Sequence, residues 1–186
     1  MKQIDYSLLR NGQTFIVHSG NPTFFGKAII EFQEMKYSPE VAKFHHTGKL
    51  FFSANEWWVC EEKRLSGVGN TRLSEYLAKD ASTYMIREPN FMTVKQESLF
   101  MECFMNDVNT GFYDVLGVFQ LAYMFSMYKL TGQMAWMGPE ENKKHYVCSA
   151  RCAKWDNEVL NLYPEWYKMT PAEYVVTSFY RTVMTI

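Results

Sequence analysis

Ala42-Lys43-Phe44-His45-His46-Thr47-Gly48-Lys49-Leu50-Phe51-Phe52-Ser53-Ala54-Asn55-Glu56-Trp57-Trp58-Val59-Cys60-Glu61 reads as two strands, Ala42 to Ser53 and Glu56 to Glu61, folded back on each other near Ala54-Asn55. The aromatic residues of both runs suit a pleated, half-buried surface, and the short turn between them predicts a β-hairpin. Successive strand side chains alternate between faces, so His45 and His46 point in opposite directions. One of them can look into a given cleft, and the other is expected in solvent. With the hairpin closed at Ala54-Asn55, Glu61 and Glu62 fall opposite or diagonal to the histidines. A carboxylate in that position would hold an imidazole and favour its charged form.

Outward from the hairpin, the chain alternates short strands with amphipathic runs. Thr14 to His18 is a strand between the turn signals Asn11-Gly12 and Ser19-Gly20-Asn21-Pro22, and Phe24 to Met35 carries a helical stripe. Gly67-Val68-Gly69-Asn70 reads as a turn into a short helix, Thr71 to Leu77, capped by Thr71 or Asn70. Ser82 to Arg87 is a further strand, ended by Pro89. Helical periodicity then covers about Val94 to Met105 and Val115 to Lys129, and a third helix begins near Cys148 and runs to about Asn161, before Pro164. The layout predicts an α+β fold, a small antiparallel sheet flanked by helices. No repeat, low-complexity tract or linker interrupts it, so residues 1–186 are read as one domain.

Chemistry is concentrated in Tyr146-Val147-Cys148-Ser149-Ala150-Arg151-Cys152-Ala153-Lys154-Trp155, where a cysteine stands at the start of the third helix. Unpaired N–H groups and the macrodipole at a helix N-terminus favour negative charge, so a thiol there ionises below its reference of about 8.5. The same N–H groups could hold a developing oxyanion. Cys152 lies one turn later on the same face and is expected to pack beneath Cys148. Together with Cys60 and Cys103 these are read as free thiols. His145, Cys148, Cys152 and the histidine pair offer zinc-ligand types, but no Cys-x-x-Cys pair is present and the spacing matches no familiar module. Neither metal nor cofactor is expected.

Composition narrows the partners. Nineteen basic and twenty acidic residues, scattered rather than striped, give a net charge of −1 and argue against nucleic acid. Phe112 to Leu130 is the most apolar stretch, yet it contains Asp114, Gln120, Lys129 and Gly117, so a buried amphipathic helix is preferred to a membrane span. The first residues lack the apolar stretch of a signal peptide, giving the expectation of a cytoplasmic protein. Oligomeric state is not legible.

Taken in order, the segments resemble the YiiX-like branch of the NlpC-type cysteine peptidases, a papain-like core circularly permuted so that histidine precedes cysteine. Leu8-Leu9-Arg10-Asn11-Gly12-Gln13-Thr14-Phe15-Ile16-Val17 is similar to the family's opening strand, with Gln13 where aspartate is usual. His45-His46-Thr47-Gly48 resembles its Ser-His-Val-Gly, and Val59-Cys60-Glu61-Glu62 with Gly67-Val68 its central Glu-Ala and Gly-Val pair, with Glu62 in place of alanine. Phe112-Tyr113-Asp114 resembles the Tyr-Asp after the middle helix. Tyr146-Val147-Cys148-Ser149 resembles its Tyr-Cys-Ser, with Ala150 in place of glutamate, and Met169-Thr170-Pro171-Ala172-Glu173-Tyr174 its closing Thr-Pro segment. The resemblance implies Cys148 as nucleophile, His46 as base and Glu61 as the polar third member, with Glu62 the alternative to Glu61. It implies hydrolysis of an amide in a peptide or cell-wall peptide through a thioester. A related branch acting on lipid esters makes a lipid-like acyl substrate the second reading, to which the methionine- and aromatic-rich stretch Phe112 to Met137 could contribute an apolar pocket. A non-catalytic binding module that keeps the fold is the third.

Overall fold

The computed structural model describes residues 4–19, 22–63, 67–78, 82–108, 110, 112–113, 123, 127, 130–132, 145–146 and 148–186. The chain forms β1 (Thr14–Ser19), α1 (Phe24–Glu34), a one-turn α2 (Pro39–Ala42), β2 (His46–Ser53), β3 (Glu56–Lys63), β4 (Gly67–Arg72), α3 (Leu73–Leu77) and β5 (Ser82–Pro89). There follow α4 (Val94–Asp107), β6 (Phe112–Tyr113), β7 (His145–Tyr146), α5 (Cys148–Leu160), α6 (Pro171–Val176) and β8 (Tyr180–Thr185). Six strands make one antiparallel sheet in the order β4-β3-β2-β1-β5-β8, and β6 pairs in parallel with β7. The predicted α+β class therefore holds. Among the described residues no helix is long and apolar enough to cross a membrane.

The β2–β3 hairpin closes on Ser53↔Glu56, with Ala54 (φ 52°) and Asn55 (φ 61°) both left-handed. Two positive-φ residues in a two-residue loop match the twist of the flanking strands, which fixes the register of everything downstream on β3. Three expectations fail for local reasons. The strand expected from Ala42 begins only at His46, because Pro39 at the first position of α2 is preorganised for a helical turn that consumes Pro39–Ala42. Gly67-Val68-Gly69-Asn70 is strand rather than turn, paired with β3 from Lys63↔Gly67 to Trp58↔Arg72. In consequence α3 begins at Leu73 behind Arg72, and neither Thr71 nor Asn70 caps it. The closing strand β8, paired with β5, had no expectation.

Both faces of the sheet are covered. Ile16, Phe51 and Cys60 pack with Phe104, Cys152 and Trp155 of the helices, while the alternate residues Phe15, Leu50 and Val59 pack with Leu73, Tyr76 and Ile86. Two buried ion pairs fasten α5 to the sheet. Lys49 Nζ on β2 meets Asp156 Oδ1 at 2.6 Å, and Arg151 Nε meets Glu62 Oε2 on β3 at 2.9 Å. Each takes the cost of desolvating a charge and returns a fixed orientation of the helix over two named strands. Arg151 Nη1 and the Trp155 indole N–H both reach Asp107 at the end of α4, at 2.9 Å each, so α4 is tied to the same helix.

Candidate active site

The lead-in to β2 is held by one buried side chain. Gln33 Nε2 donates to the carbonyls of Ala42 (2.7 Å) and Phe44 (2.8 Å), and Gln33 Oε1 accepts from the Ala172 N–H at 2.8 Å. With every polar atom of the amide used, α1, α6 and the segment before His46 form one unit. His45 N–H then donates to the Val17 carbonyl, and His46 opens the strand opposite Val17. His45 is half-buried rather than solvated. Its ring packs where a Cβ on Gly26 would come within 2.8 Å, and burial pushes its pKa down.

His46 and Glu61 meet diagonally across β2 and β3, with Nε2 2.5 Å from Oε2. The strands can close there because position 48 is glycine: a Cβ would lie 2.4 Å from Val59 Cγ1 and 3.0 Å from the Cys60 carbonyl oxygen. Glu61 is satisfied on both oxygens. Thr71 donates to Oε1 at 2.8 Å, and the Tyr76 hydroxyl donates to Oε2. Neither partner is evident from the sequence. In the sequence Thr71 reads as a cap, and the one signal for Tyr76 is a tyrosine on an apolar helix, whose buried hydroxyl needs an acceptor. Glu62, one residue on, points to the opposite face and pairs with Arg151, so of the two carboxylates only Glu61 touches the imidazole.

Cys148 is the first residue of α5, 1% exposed, while the His46 side chain keeps 24% of its surface. With Nε2 turned to Glu61, Nδ1 is the ring nitrogen left for the thiol. Burial works against a thiolate, yet the neighbouring His46 and the donors of Thr47 outweigh it and bring the Cys148 pKa below its ordinary value. Burial likewise works against the imidazolium, and the Cys148 and Glu61 negative charges outweigh it and raise His46 well above its ordinary value. Glu61, despite burial, is held below the usual carboxylate range by His46, Tyr76 and Thr71. The three groups therefore shift one another toward a charge-separated arrangement, thiolate and imidazolium with a carboxylate behind.

The other cysteines differ in kind. All four are free, but burial pushes Cys60 and Cys152 well up and Cys103 up to about 11, so Cys148 alone is displaced toward the thiolate. Cys152 packs in the core beneath Cys148, as its spacing predicted. Asp114 lies outside the described residues, as does most of the helix expected over 115–129 and of the apolar stretch Phe112 to Met137. Of that stretch Tyr123, Met127 and Leu130 are helical and exposed.

No family model matches the chain, and no curated protein matches it. Among solved structures, the crystal structure of the metalloprotein YiiX from Escherichia coli O157:H7 (DUF1105) is similar, with a TM-score of 0.59 over 94% of this chain and 97% of that one, at 13% identity. At such an identity the likeness is one of backbone architecture: the chain has a YiiX-like α+β fold.

Proposed function

We propose that this protein is a cysteine hydrolase with a permuted papain-like site, in which Cys148 is the nucleophile, His46 the base and Glu61 the residue that orients it. One observation carries the reading: the His46 ring stands between a helix N-terminal thiol and a carboxylate that is itself held by two further hydroxyls. In chain order the base precedes the nucleophile, as the permutation requires. His46 accepts the Cys148 proton, and the sulfur attacks a substrate carbonyl carbon. His46 returns the proton to the leaving amine as the tetrahedral intermediate collapses to a thioester, and then activates the water that releases the acid. Glu61 keeps the tautomer and stabilises the imidazolium. An amide of a peptide or cell-wall peptide is the substrate class this reading favours.

The similar YiiX structure is that of a metalloprotein, which raises metal ligation by the same residues as an alternative. Among the described residues no three His, Cys, Asp or Glu side chains converge into a group able to hold a metal ion. Glu61 already accepts three hydrogen bonds and His46 lies between two partners, so the donor set fits proton transfer rather than metal ligation.

The test is the pH dependence of iodoacetamide labelling at each cysteine, on the native chain and on His46→Ala. The expected result is selective labelling of Cys148 below about pH 7 that is lost in the variant. Four cysteines labelling alike, unaffected by the variant, would leave a binding role for the fold and overturn the proposal.

A further inference from the structure

Thr47, between His46 and Gly48 on β2, is wholly buried, and its hydroxyl has no hydrogen-bond partner. The groups it faces are sulfurs, those of Cys148 and Cys152. Its main chain is placed just as unusually. The β2–β3 ladder starts from the hydrogen-bonded pair Ser53↔Glu56 and runs through Phe51↔Trp58 to Lys49↔Cys60, where the pairing stops. Hydrogen-bonded pairs recur at every second position of an antiparallel ladder, so the next would have been Thr47 with Glu62. β3 continues instead with β4 as far as Lys63↔Gly67, so the Thr47 N–H, which a continuing ladder would use, is left for the neighbouring Cys148, whose pKa it helps to lower. Two donors of one residue thus converge on the N-terminus of the thirteen-residue α5.

We infer that Thr47 is a catalytic group of this site, its main-chain N–H and its hydroxyl both donating to the Cys148 sulfur once that sulfur carries negative charge. The inference rests on the cysteine-hydrolase reading. A thiol is a weak acceptor and leaves the buried hydroxyl poorly satisfied, whereas a thiolate satisfies it, so the residue acts on the difference between the two states. The titratable groups around the sulfur are His46 from β2, Tyr76 from α3 and Cys152 from its own helix, with Glu61 behind His46. Burial keeps Cys152 protonated, which leaves Cys148 as the anion the hydroxyl can serve.

The experiment measures the pH midpoint of Cys148 alkylation by iodoacetamide in the native chain, in isosteric Thr47→Val and in Thr47→Ser. Loss of the hydroxyl is expected to raise the midpoint by about one pH unit, a tenfold slower reaction below it, while serine keeps the native midpoint within a few tenths. Should Thr47→Val lack a cooperative melt, Thr47→Ala must show the same displacement. A native-like midpoint in a folded hydroxyl-free variant, with native Cys148 still selectively labelled, overturns this inference and leaves the hydrolase reading standing. Native Cys148 labelling no faster than the other cysteines overturns both.

Discussion

The Lys49–Asp156 pair links the two elements that carry the proposed dyad: Lys49 lies three residues beyond His46 on β2, and Asp156 eight residues beyond Cys148 on α5. Both side chains are fully buried. Lys49 Nζ also donates to Thr14 Oγ1 (2.7 Å) and the Tyr180 hydroxyl (3.1 Å), and Asp156 accepts from the Tyr174 hydroxyl at 2.5 Å. The ammonium stands 5.2–5.6 Å from the ring centres of Phe100, Tyr174 and Tyr180. Replacing Asp156 by Asn leaves a buried cation without its counter-charge, and replacing Lys49 by Met leaves a buried carboxylate with one neutral donor. Breaking a buried pair from one side costs about 3–5 kcal/mol, a large share of the roughly 5–15 kcal/mol available to a domain. The double variant Lys49→Met/Asp156→Asn has no buried charge to compensate and should recover at least about 2 kcal/mol relative to the sum of the single losses. Urea denaturation of the four proteins gives the coupling, and alkylation of Cys148 in the folded double variant reports whether the dyad keeps its geometry. Single variants that each lose less than about 1 kcal/mol, or losses that simply add, would refute the reasoning.

Two other outcomes follow from the site. Glu61→Gln removes the charge behind His46 and should slow Cys148 alkylation at about pH 6 by roughly 10- to 100-fold, the worth of a charged hydrogen bond, whereas Glu62→Gln should cost stability through Arg151 and leave the rate near native. Equal slowing by both would remove Glu61 from the proposed site. The dyad also shapes stability against pH. The His46 share is complete below its unfolded value of about 6.5 and is lost as pH rises through its raised native value; the Cys148 share is complete above about 8.5 and is lost as pH falls through its lowered native value. Between about 6.5 and 8.5 the two shares therefore run in opposite directions, and below about 6.5 their sum does not fall as pH rises. The urea midpoint of the native chain minus that of a His46→Ala/Cys148→Ala variant measures it, and a difference that falls steadily from pH 5 upward would contradict the pair.

Much of this was legible along the chain, because strand alternation, helix periodicity and turn chemistry act over a few residues. The hairpin at Ala54-Asn55, the helix start at Cys148 and the stacking of Cys152 beneath it are all local consequences of residue type and spacing. The same locality misled where tertiary pairing overrode propensity. Gly67 and Gly69 look like a turn until β3 offers them a ladder, and once Thr71 is drawn into that strand its hydroxyl is free to serve Glu61 rather than cap a helix.

By itself, then, the sequence determined most of the elements, though not β4 or β8, together with the register of the hairpin and the short set of groups able to do chemistry, since each of these depends on neighbours in the chain. Tertiary structure alone decided which of Glu61 and Glu62 meets His46, that Tyr76 and Thr71 stand behind that carboxylate, and that the β2–β3 ladder stops where Thr47 faces Cys148. Those contacts join residues up to about a hundred positions apart, and a charge or hydroxyl in a buried site finds its partner only when packing has removed water as the alternative.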